Sequence, residues 1–328
     1  NYPQWMQTID ELRKLCRRLI NAPSKDDIAL VKNTSEGLSM IAYGIDWHNG
    51  DNIVIPAGEF PSNRIVWESL SRFGVETRQV DIRNSDDPEQ ALINACDDNT
   101  RLLSVSAVQY SDGFRLNLPV LGQHCQTSDI LFVVDAIQQL GVLEFDVQSI
   151  QADFVIADGH KWMLGLEGLG LFYCRPSLRE SLQLTQYGWH MLENAHDFSQ
   201  KDWQISHTAT RFECGSPNVI ASFALHASLS LLLETGIDSV QESILRSTAN
   251  IIDFIDNNHY SLISNPTPER RSGIVTFRHN SLSSAALMQT LKDHQVQCAE
   301  RGNGVRVAPH FYHQEWEFDR FFNILSDI

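Results

Sequence analysis

The chain has 328 residues, enough to bury a large core and to divide into two domains. Its composition, 42% hydrophobic and 20% charged, is that of an ordinary globular protein. The net charge of −16 argues against nucleic acid and anionic membrane surfaces as partners, because both attract basic surfaces. No apolar run approaches the ~20 residues of a membrane span. A small molecule is therefore the expected partner.

The six cysteines are scattered, without a Cys-x-x-Cys pair. This spacing is typical of neither a zinc cluster nor a disulfide scaffold, so we expect reduced thiols, no bound metal and a cytoplasmic location. The sequence begins at Asn1 without a methionine and shows no signal peptide. We expect that residues upstream of Asn1 are missing from it.

The first two thirds of the chain alternate strand-like runs with helix-like segments, which is typical of an α/β sheet covered by helices. Near-continuous apolar runs such as "LFVV" indicate strands buried on both faces. Helical spacing is visible in "SEGLSMIAYGI" and "NRIVWESLSRFG". The predicted strands, seven in number, are 27–32, 52–57, 76–81, 101–108, 131–136, 153–158 and 170–175.

A long apolar helix is predicted from Asn218 to a C-cap at Gly236, followed by a second helix. The rest of the chain predicts a strand in "GIVTFRH", a helix in "SSAALMQTLKDHQ", a strand in "GVRVAP" and a terminal amphipathic helix. We therefore predict a large domain at 1–235 and a small α+β domain at 236–328.

Three polar residues follow the ends of neighbouring predicted strands: Asp135, Gln138 and Lys161. Ligands of open α/β sheets collect at the carboxyl ends of the strands. A lysine beside a carboxylate suits pyridoxal phosphate, which needs a lysine for its Schiff base and an acid for its pyridine nitrogen. A helix cap is the alternative interpretation of Asp135. Lys161 is harder to explain without a function, because burying an unpaired lysine is costly.

The stretch "VVDAIQQLGVLEFDVQSIQADFVIADGHKWMLGLEGLGLFY" resembles the signature of class V pyridoxal-phosphate-dependent aminotransferases. The resemblance extends over nearly the whole chain from residue 2. It implies fold type I, a homodimer and a Schiff base at Lys161. It also implies that Asp135 pairs with the pyridinium nitrogen, that Gln138 bonds the phenolic oxygen, and that His160 lies near the phosphate. A core histidine is the alternative interpretation of His160.

The segment "NTSEGLSMIA" follows a strand and opens a helix, whose amino end is suited to an anion. The resemblance places the cofactor phosphate here, so Thr34, Ser35 and Glu36 are predicted to bind it. An ordinary capped helix is the alternative. In "GEFPSN", Phe60 stands where desulfurases carry a histidine that stacks on the cofactor ring, and it is predicted either to stack or to pack in the core.

The turn "FECGSPN" resembles the one that reaches the partner subunit's phosphate, which implicates Gly215 and Ser216. The alternative is a plain helix start with an early proline. Arg306 matches the arginine that binds the substrate carboxylate, and Arg301 is the second candidate for that role. A surface ion pair is the alternative for both arginines.

Three features depart from the family pattern. Desulfurases carry a catalytic cysteine on a loop between two such arginines, whereas only "GNGV" separates Arg301 from Arg306 here. Asp158 stands where many relatives have a serine or threonine on the phosphate. The family's usual first strand, with its glycine and aspartate, is absent from this sequence. Phe60 resembles the pattern of the isopenicillin N epimerase and kynureninase branches, and the missing cysteine loop argues against the desulfurases, so we expect the chain to lie nearer to the former.

The sequence thus predicts a homodimeric pyridoxal-phosphate enzyme acting on an amino acid or small amine. An aminotransferase, with Lys161 moving a proton between Cα and the cofactor, is the main hypothesis. Racemisation or epimerisation and loss of a β- or γ-substituent remain open, because fold and cofactor do not choose among them. A non-catalytic binding protein that keeps the fold is the alternative from another class.

Overall fold

A computed structural model describes residues 2–199 and 201–328 of the chain. It contains helices α1 (Tyr2–Ile20), α2 (Thr34–Gly44), α3 (Pro61–Glu68), α4 (Pro88–Asn94), α5 (Leu118–Thr127), α6 (Val147–Ile150), α7 (Val219–Thr235), α8 (Ile237–Asp256), α9 (Ser284–Asp293) and α10 (Glu315–Ser326). The strands are β1 (Ile28–Val31), β2 (Asn52–Pro56), β3 (Glu76–Val80), β4 (Thr100–Ser106), β5 (Leu131–Asp135), β6 (Phe154–Asp158), β7 (Gly170–Cys174), β8 (Tyr260–Leu262), β9 (Val275–His279), β10 (Ala299–Arg301) and β11 (Gly304–Val307).

The first seven strands form one mostly parallel sheet in the order β1-β7-β6-β5-β4-β2-β3. Strand β7 is antiparallel to both of its neighbours, and the other pairs are parallel. This confirms the predicted α/β architecture and all seven predicted strands to within one or two residues at each end. Parallel strands bring their carboxyl ends to one edge, so β1, β2, β5 and β6 end at the same side of the sheet.

Most strands of this sheet are buried because their side chains are apolar on both faces. Every residue of β1, β2, β6 and β7 is buried, whereas β3, at the opposite edge from β1, is mostly polar and has no buried residue. Helix α2 packs closely on β6 at Gly37, where an added Cβ would lie 3.1 Å from Ile156. This close packing brings the amino end of α2 to the carboxyl end of β6, so that Thr34 lies beside Asp158.

The chain folds into two compact units. The first runs through Ala107 and again from Asn117 to Glu234, and the second comprises Val108–Leu116 and Thr235–Ile328. Hydrogen bonds from Ser264 and Thr276 to backbone oxygens of Asp112 and Ser111 hold the short segment Val108–Leu116 in the second unit. The sequence predicted a boundary near 235 but did not indicate that Val108–Leu116 belongs to the second unit. The hydrogen bonds that hold this segment join residues far apart in the chain, and local patterns do not show them.

The second unit contains a four-stranded antiparallel sheet in the order β10-β11-β9-β8. The sequence predicted β9 and β11 but not the three-residue strands β8 and β10. Strands β10 and β11 form a hairpin in which Arg301 pairs with Gly304. Its two turn residues, Gly302 and Asn303, have φ values of 57° and 65°, as a tight two-residue hairpin turn requires. The connection is therefore as short as a hairpin allows.

Candidate active site

The site lies at the carboxyl edge of the large sheet. Strand β5 ends at Asp135 and β6 at Asp158, and the turn after β6 carries Lys161. The loop after β2 leads into Asn63, in the first turn of α3. Each of these side chains lies at the end of a buried strand or in the segment that follows one. The sheet therefore fixes their relative positions.

Asp135 is buried and both of its carboxyl oxygens are hydrogen-bonded. The Ile137 amide donates to Oδ1 at 2.9 Å, and Asn63 Nδ2 donates to Oδ2 at 2.9 Å. Asn63 Nδ2 also lies 3.1 Å from Ser106 Oγ and 3.4 Å from an oxygen of Glu59. Glu59 in turn accepts from the Ser106 amide at 2.8 Å. Two buried carboxyl groups are therefore linked through one asparagine and one serine.

Burial raises the pKa of Asp135 to about 7. The Glu59 charge acts in the same direction, whereas the Ile137 amide, the Lys161 charge and Asn63 oppose the shift. A cation placed against this carboxyl would favour its ionised form. The environment of Asp135 is thus suited to receiving a positively charged partner.

Lys161 is half-buried, and its Nζ lies over the Phe60 ring at 5.7 Å from the centroid. Its charge also acts on Asp135. The Phe60 ring is 43% exposed. A side chain this exposed is not packed in the core, so one of its two predicted roles, plain core packing, is not what the structure shows. An amine, an aromatic face and a buried acid thus occupy one edge.

Gln138 is buried, and its carboxamide is oriented by Trp162. The indole Nε1 donates to Gln138 Oε1 at 3.0 Å, so the Nε2 end is the donor that remains for another group. A donor of this kind is what the sequence resemblance required of Gln138, which was expected to bond a phenolic oxygen.

The amino end of α2 is capped by Asn33, whose side chain accepts from the Glu36 amide at 2.9 Å. The Glu36 carboxylate turns back to the Lys32 amide and ammonium, so it does not extend ahead of the helix. The exposed Ser35 hydroxyl bonds Ser62 at 2.9 Å. Thr34 is buried, and its hydroxyl has no hydrogen-bond partner in the described part of the chain. The capping interpretation and an anion site are both compatible with this geometry.

Asp158 and His160 lie beside this helix end. Asp158 is buried, the Thr34 backbone amide acts to lower the pKa of its carboxyl, and His160 Nδ1 lies 3.7 Å from Asp158 Oδ2. Burial raises the pKa of Asp158, which His160 opposes. The carboxylate therefore lies where the resemblance places the phosphate.

Gly215 and Ser216 precede α7, and the Ser216 side chain is exposed. The turn is followed by Asn218, whose side chain accepts from the Ala221 amide at 3.2 Å. Within one chain, the turn therefore acts as an ordinary helix start. The exposed Ser216 side chain remains accessible to a second chain.

Arg306 and Arg301 lie on β11 and β10 of the second unit. Arg306 Nη1 donates to the Tyr110 carbonyl at 2.6 Å, and burial, together with the nearby Arg301, lowers the pKa of its guanidinium. Arg301 is exposed and bonds the Glu300 carbonyl. Neither arginine has an ion pair with a carboxylate among the contacts of residues 2–199 and 201–328, so the surface ion-pair alternative is not observed for them.

Four residues of the site were not singled out from the sequence: Glu59, Asn63, Ser106 and Trp162. Glu59 and Asn63 stand four residues apart just after a predicted strand, which is a spacing that places two side chains on one helical face. That signal was present within "GEFPSN". Nothing in the local sequence indicated Ser106, because it reaches the network across the sheet.

The residues present fit the expected cofactor. The buried Thr34 hydroxyl lacks a partner at a helix amino end, where an anion is stabilised. The buried acid Asp135 matches a cationic ring nitrogen, and the Lys161 amine lies over an aromatic face at the same edge. A phosphate, a protonated pyridine and an aldehyde are together the groups that such a set of side chains would bind.

Residues 2–199 and 201–328 contain no group of three or more histidine, cysteine, aspartate or glutamate side chains arranged to hold a metal ion. In the same residues no single helix is long and apolar enough to cross a membrane, although the bent pair α7 and α8 passes that test by length and composition.

Comparison with known proteins gives a consistent set of matches. The family model described as "Aminotransferase class-V" matches residues 3–319. A probable cysteine desulfurase of Methanothermobacter thermautotrophicus is 28% identical over 98% of this chain and 83% of that protein. The uncharacterized aminotransferase YcbU of Bacillus subtilis is 27% identical over 97% of this chain and 83% of that protein. A solved structure of a C-DES mutant, with glycine covalently linked to its PLP cofactor, has a TM-score of 0.91 at 22% identity and covers 100% of this chain and 87% of that one.

Proposed function

The chain belongs to the class-V aminotransferase family, and we propose that it transfers the amino group of a small amino acid or amine, with Lys161 as the base. It has fold type I, and its cofactor is pyridoxal 5′-phosphate. The observation that carries the proposal is the position of Lys161 at the carboxyl edge, over Phe60 and within electrostatic reach of buried Asp135.

The residues that would hold the cofactor follow from the predicted roles and the geometry. Lys161 would bond it covalently, Asp135 would face its ring nitrogen and Phe60 its ring. Gln138 Nε2 would donate to its phenolic oxygen, since Trp162 holds the other end of the amide. The phosphate would be bound by Thr34, Ser35, Glu36 and His160, with Gly215 and Ser216 contributed across a dimer. Arg306, with Arg301 as second candidate, would bind the substrate carboxylate.

When bound, pyridoxal phosphate withdraws electrons from the Cα of an attached amine, so that the Cα proton becomes acidic. The Lys161 amine would remove the Cα proton as a base. As an acid it would then return that proton to a carbon of the cofactor. Asp135, held by Asn63 and Ile137, supplies the negative charge that keeps the ring nitrogen protonated. Moving one proton between two carbons needs a base that reaches both of them, and it requires no thiol nucleophile.

A protein persulfide route is disfavoured at five of the six thiols of this chain. Burial raises the pKa of five of the six cysteines: Cys16, Cys96, Cys125, Cys174 and Cys298. A raised pKa leaves little thiolate, which is the form that attacks sulfur. The hairpin between Arg301 and Gly304 has two turn residues and no cysteine. With Phe60, this supports our placement of the chain nearer to the epimerase and kynureninase branches.

The test is the product spectrum of the cofactor-loaded protein mixed with a panel of L-amino acids. Transamination predicts one oxo acid per active site in a single turnover, without ammonia, and bleaching of the yellow colour. Solvent deuterium at Cα without oxo acid would favour an epimerase, and ammonia with a released substituent would favour a lyase. Sulfide from cysteine would contradict the argument from the short hairpin. A colourless protein that takes up no pyridoxal phosphate would contradict the enzyme proposal altogether.

We also propose that the chain forms a homodimer through helix α7. Its buried face contains Ala221, Leu225 and Leu229, whereas Ile220, Phe223, Ala227 and Leu231 form an exposed apolar stripe at helical spacing. Ile220 is 77% exposed. An apolar stripe of this length on a helix surface is typical of an interface between subunits. It begins next to Ser216, the residue proposed to reach the partner's phosphate.

Replacing Ile220 by glutamate is expected to convert a dimer into a monomer, because it places a charge in an apolar interface. Light scattering at several protein concentrations measures the molar mass. Ser239→Glu, on the exposed side of α8, adds the same charge outside the stripe and should leave the mass unchanged. A wild-type protein that is monomeric at all concentrations would refute the dimer.

All six cysteines are unpaired thiols in the structure. Because free thiols persist in a reducing compartment, this supports the proposal of a cytoplasmic location.

A further inference from the structure

Asp158 lies where an anionic ligand would otherwise be bound. It ends β6, and the Thr34 backbone amide in the first turn of α2 favours the ionised form of its carboxyl and so acts to lower its pKa. That turn has backbone amides without intrahelical acceptors, and the helix dipole favours negative charge there. The carboxylate therefore occupies part of the position that is suited to a phosphate.

Unpartnered polar atoms surround this position. The Thr34 hydroxyl and Asp158 Oδ1 are both buried, in residues that are 6% and 8% exposed, and neither has a hydrogen-bond partner in the residues described. The buried Nδ1 of His160 also lacks one there. Leaving such atoms unpaired costs about 1–3 kcal/mol each. Three of them at one helix end indicate a ligand with several polar oxygens.

The charges that face Asp158 are those of His160 and Lys161. His160 Nδ1 lies 3.7 Å from Oδ2. Burial is the largest influence on Asp158 and raises its pKa, while both cations and the Thr34 amide act against that shift. A phosphate placed here would add a strong negative charge and push the same pKa further upward.

We propose that Asp158 takes up a proton from solvent when the phosphate of the cofactor binds at α2, and that the protonated carboxyl then donates a hydrogen bond to a phosphate oxygen. The proposal rests on the proposed function, because the phosphate is that of pyridoxal phosphate. It explains how an aspartate serves at a position where many relatives have a hydroxyl donor. A protonated carboxyl has one O–H, as serine and threonine do.

The proposal has a defined pH signature. A ligand whose binding requires an extra proton binds more weakly as the pH rises. The loss of affinity reaches up to about tenfold per pH unit between the pKa of the free and the bound state of that group. Two other effects act in the opposite direction: the phosphate ester loses its second proton near pH ~6, and Lys161 must lose its own proton to bond the cofactor. Both of these effects are the same in the wild-type protein and in a variant of Asp158. Comparing the two proteins therefore isolates the effect of the Asp158 proton.

The experiment compares the cofactor-free wild-type protein with Asp158→Asn by equilibrium dialysis from about pH 5 to 8. The probes are pyridoxal phosphate and pyridoxal, and the ratio of their affinities isolates the phosphate. We expect the ratio in the variant to exceed that in the wild type increasingly toward high pH, by about tenfold or more at the upper end. Asp158→Ser should behave like Asp158→Asn, because its hydroxyl donates at every pH.

Two outcomes would contradict different parts of the argument. Parallel pH profiles of the ratio in wild type and Asp158→Asn overturn the proposal. Failure of the wild-type protein to bind pyridoxal phosphate at any pH refutes the proposed function instead. Asp253→Asn, an exposed carboxyl on α8, removes the same charge and should reproduce the wild-type profile. Thermal unfolding followed by circular dichroism tests whether each variant is folded. If Asp158→Asn does not fold, the same affinity ratios are measured with Asp158→Ser.

Discussion

Lys161→Ala is expected to lower the rate of oxo acid formation by at least ~10²–10⁴-fold, the usual contribution of a positioned base. The residue also supplies the proposed covalent link to the cofactor, so the variant should lose the yellow colour on dialysis. Single-turnover formation of the oxo acid measures the first effect. Borohydride reduction of the wild-type protein, followed by peptide mass spectrometry, should locate the cofactor on Lys161.

Lys14→Ala is the control for Lys161→Ala. Lys14 is an exposed lysine of α1 with surface ion pairs to Asp10 and Glu11, so its loss should change neither colour nor rate. Turnover that persists in Lys161→Ala, or a reduced cofactor attached to a different lysine, would refute the assignment of the base.

Asp135→Asn is expected to reduce the rate by about 10²–10³-fold while the cofactor still binds, because a preorganised charge is lost from the site. Asn63→Ala keeps the carboxyl but removes the donor to Oδ2, which raises the pKa of Asp135 further and should give a smaller loss at neutral pH. Asp153→Asn is the matched control. Asp153 is buried at the opposite, amino end of β6, where it accepts from the Phe132 amide, so its replacement should leave the rate unchanged once the protein is folded.

Asp135 also makes the stability of the cofactor-free protein depend on pH. Burial raises the pKa of Asp135 to about 7 in the folded chain, well above its ordinary value. The folded state then binds more protons than the unfolded state between about pH 4 and 7, so stability falls as the pH rises through this range, by up to about 1.4 kcal/mol per pH unit. Urea unfolding at a series of pH values should show this slope in the wild type and a flatter one in Asp135→Asn. Equal slopes in the two proteins would refute the raised pKa of Asp135.

Much of the fold was predictable from local patterns. Most strands of the large sheet were predicted because each is a short, nearly continuous apolar run, a pattern that burial on both faces imposes on parallel strands. The polar edge strand β3 lacks that pattern. The strands β8 and β10 were missed because three residues carry too little periodicity to be distinguished from a turn. Helix α1 was also not predicted, although Ile9, Leu12 and Cys16 recur on its buried face at helical spacing.

For the site, the sequence by itself determined the chemical types of side chain and their order. Lys161, Asp135 and Gln138 were recognisable because a strand end followed by a polar residue is a local pattern, and their joint spacing resembles one family. The surroundings of those groups were decided only by the tertiary structure. The links from Glu59 through Ser106 and Asn63 to Asp135 cross three strands. The Thr34 amide acts on the pKa of Asp158 because Gly37 lets α2 pack closely on β6. Protonation depends on burial and on partners distant in the chain, and these exist only once the sheet is assembled.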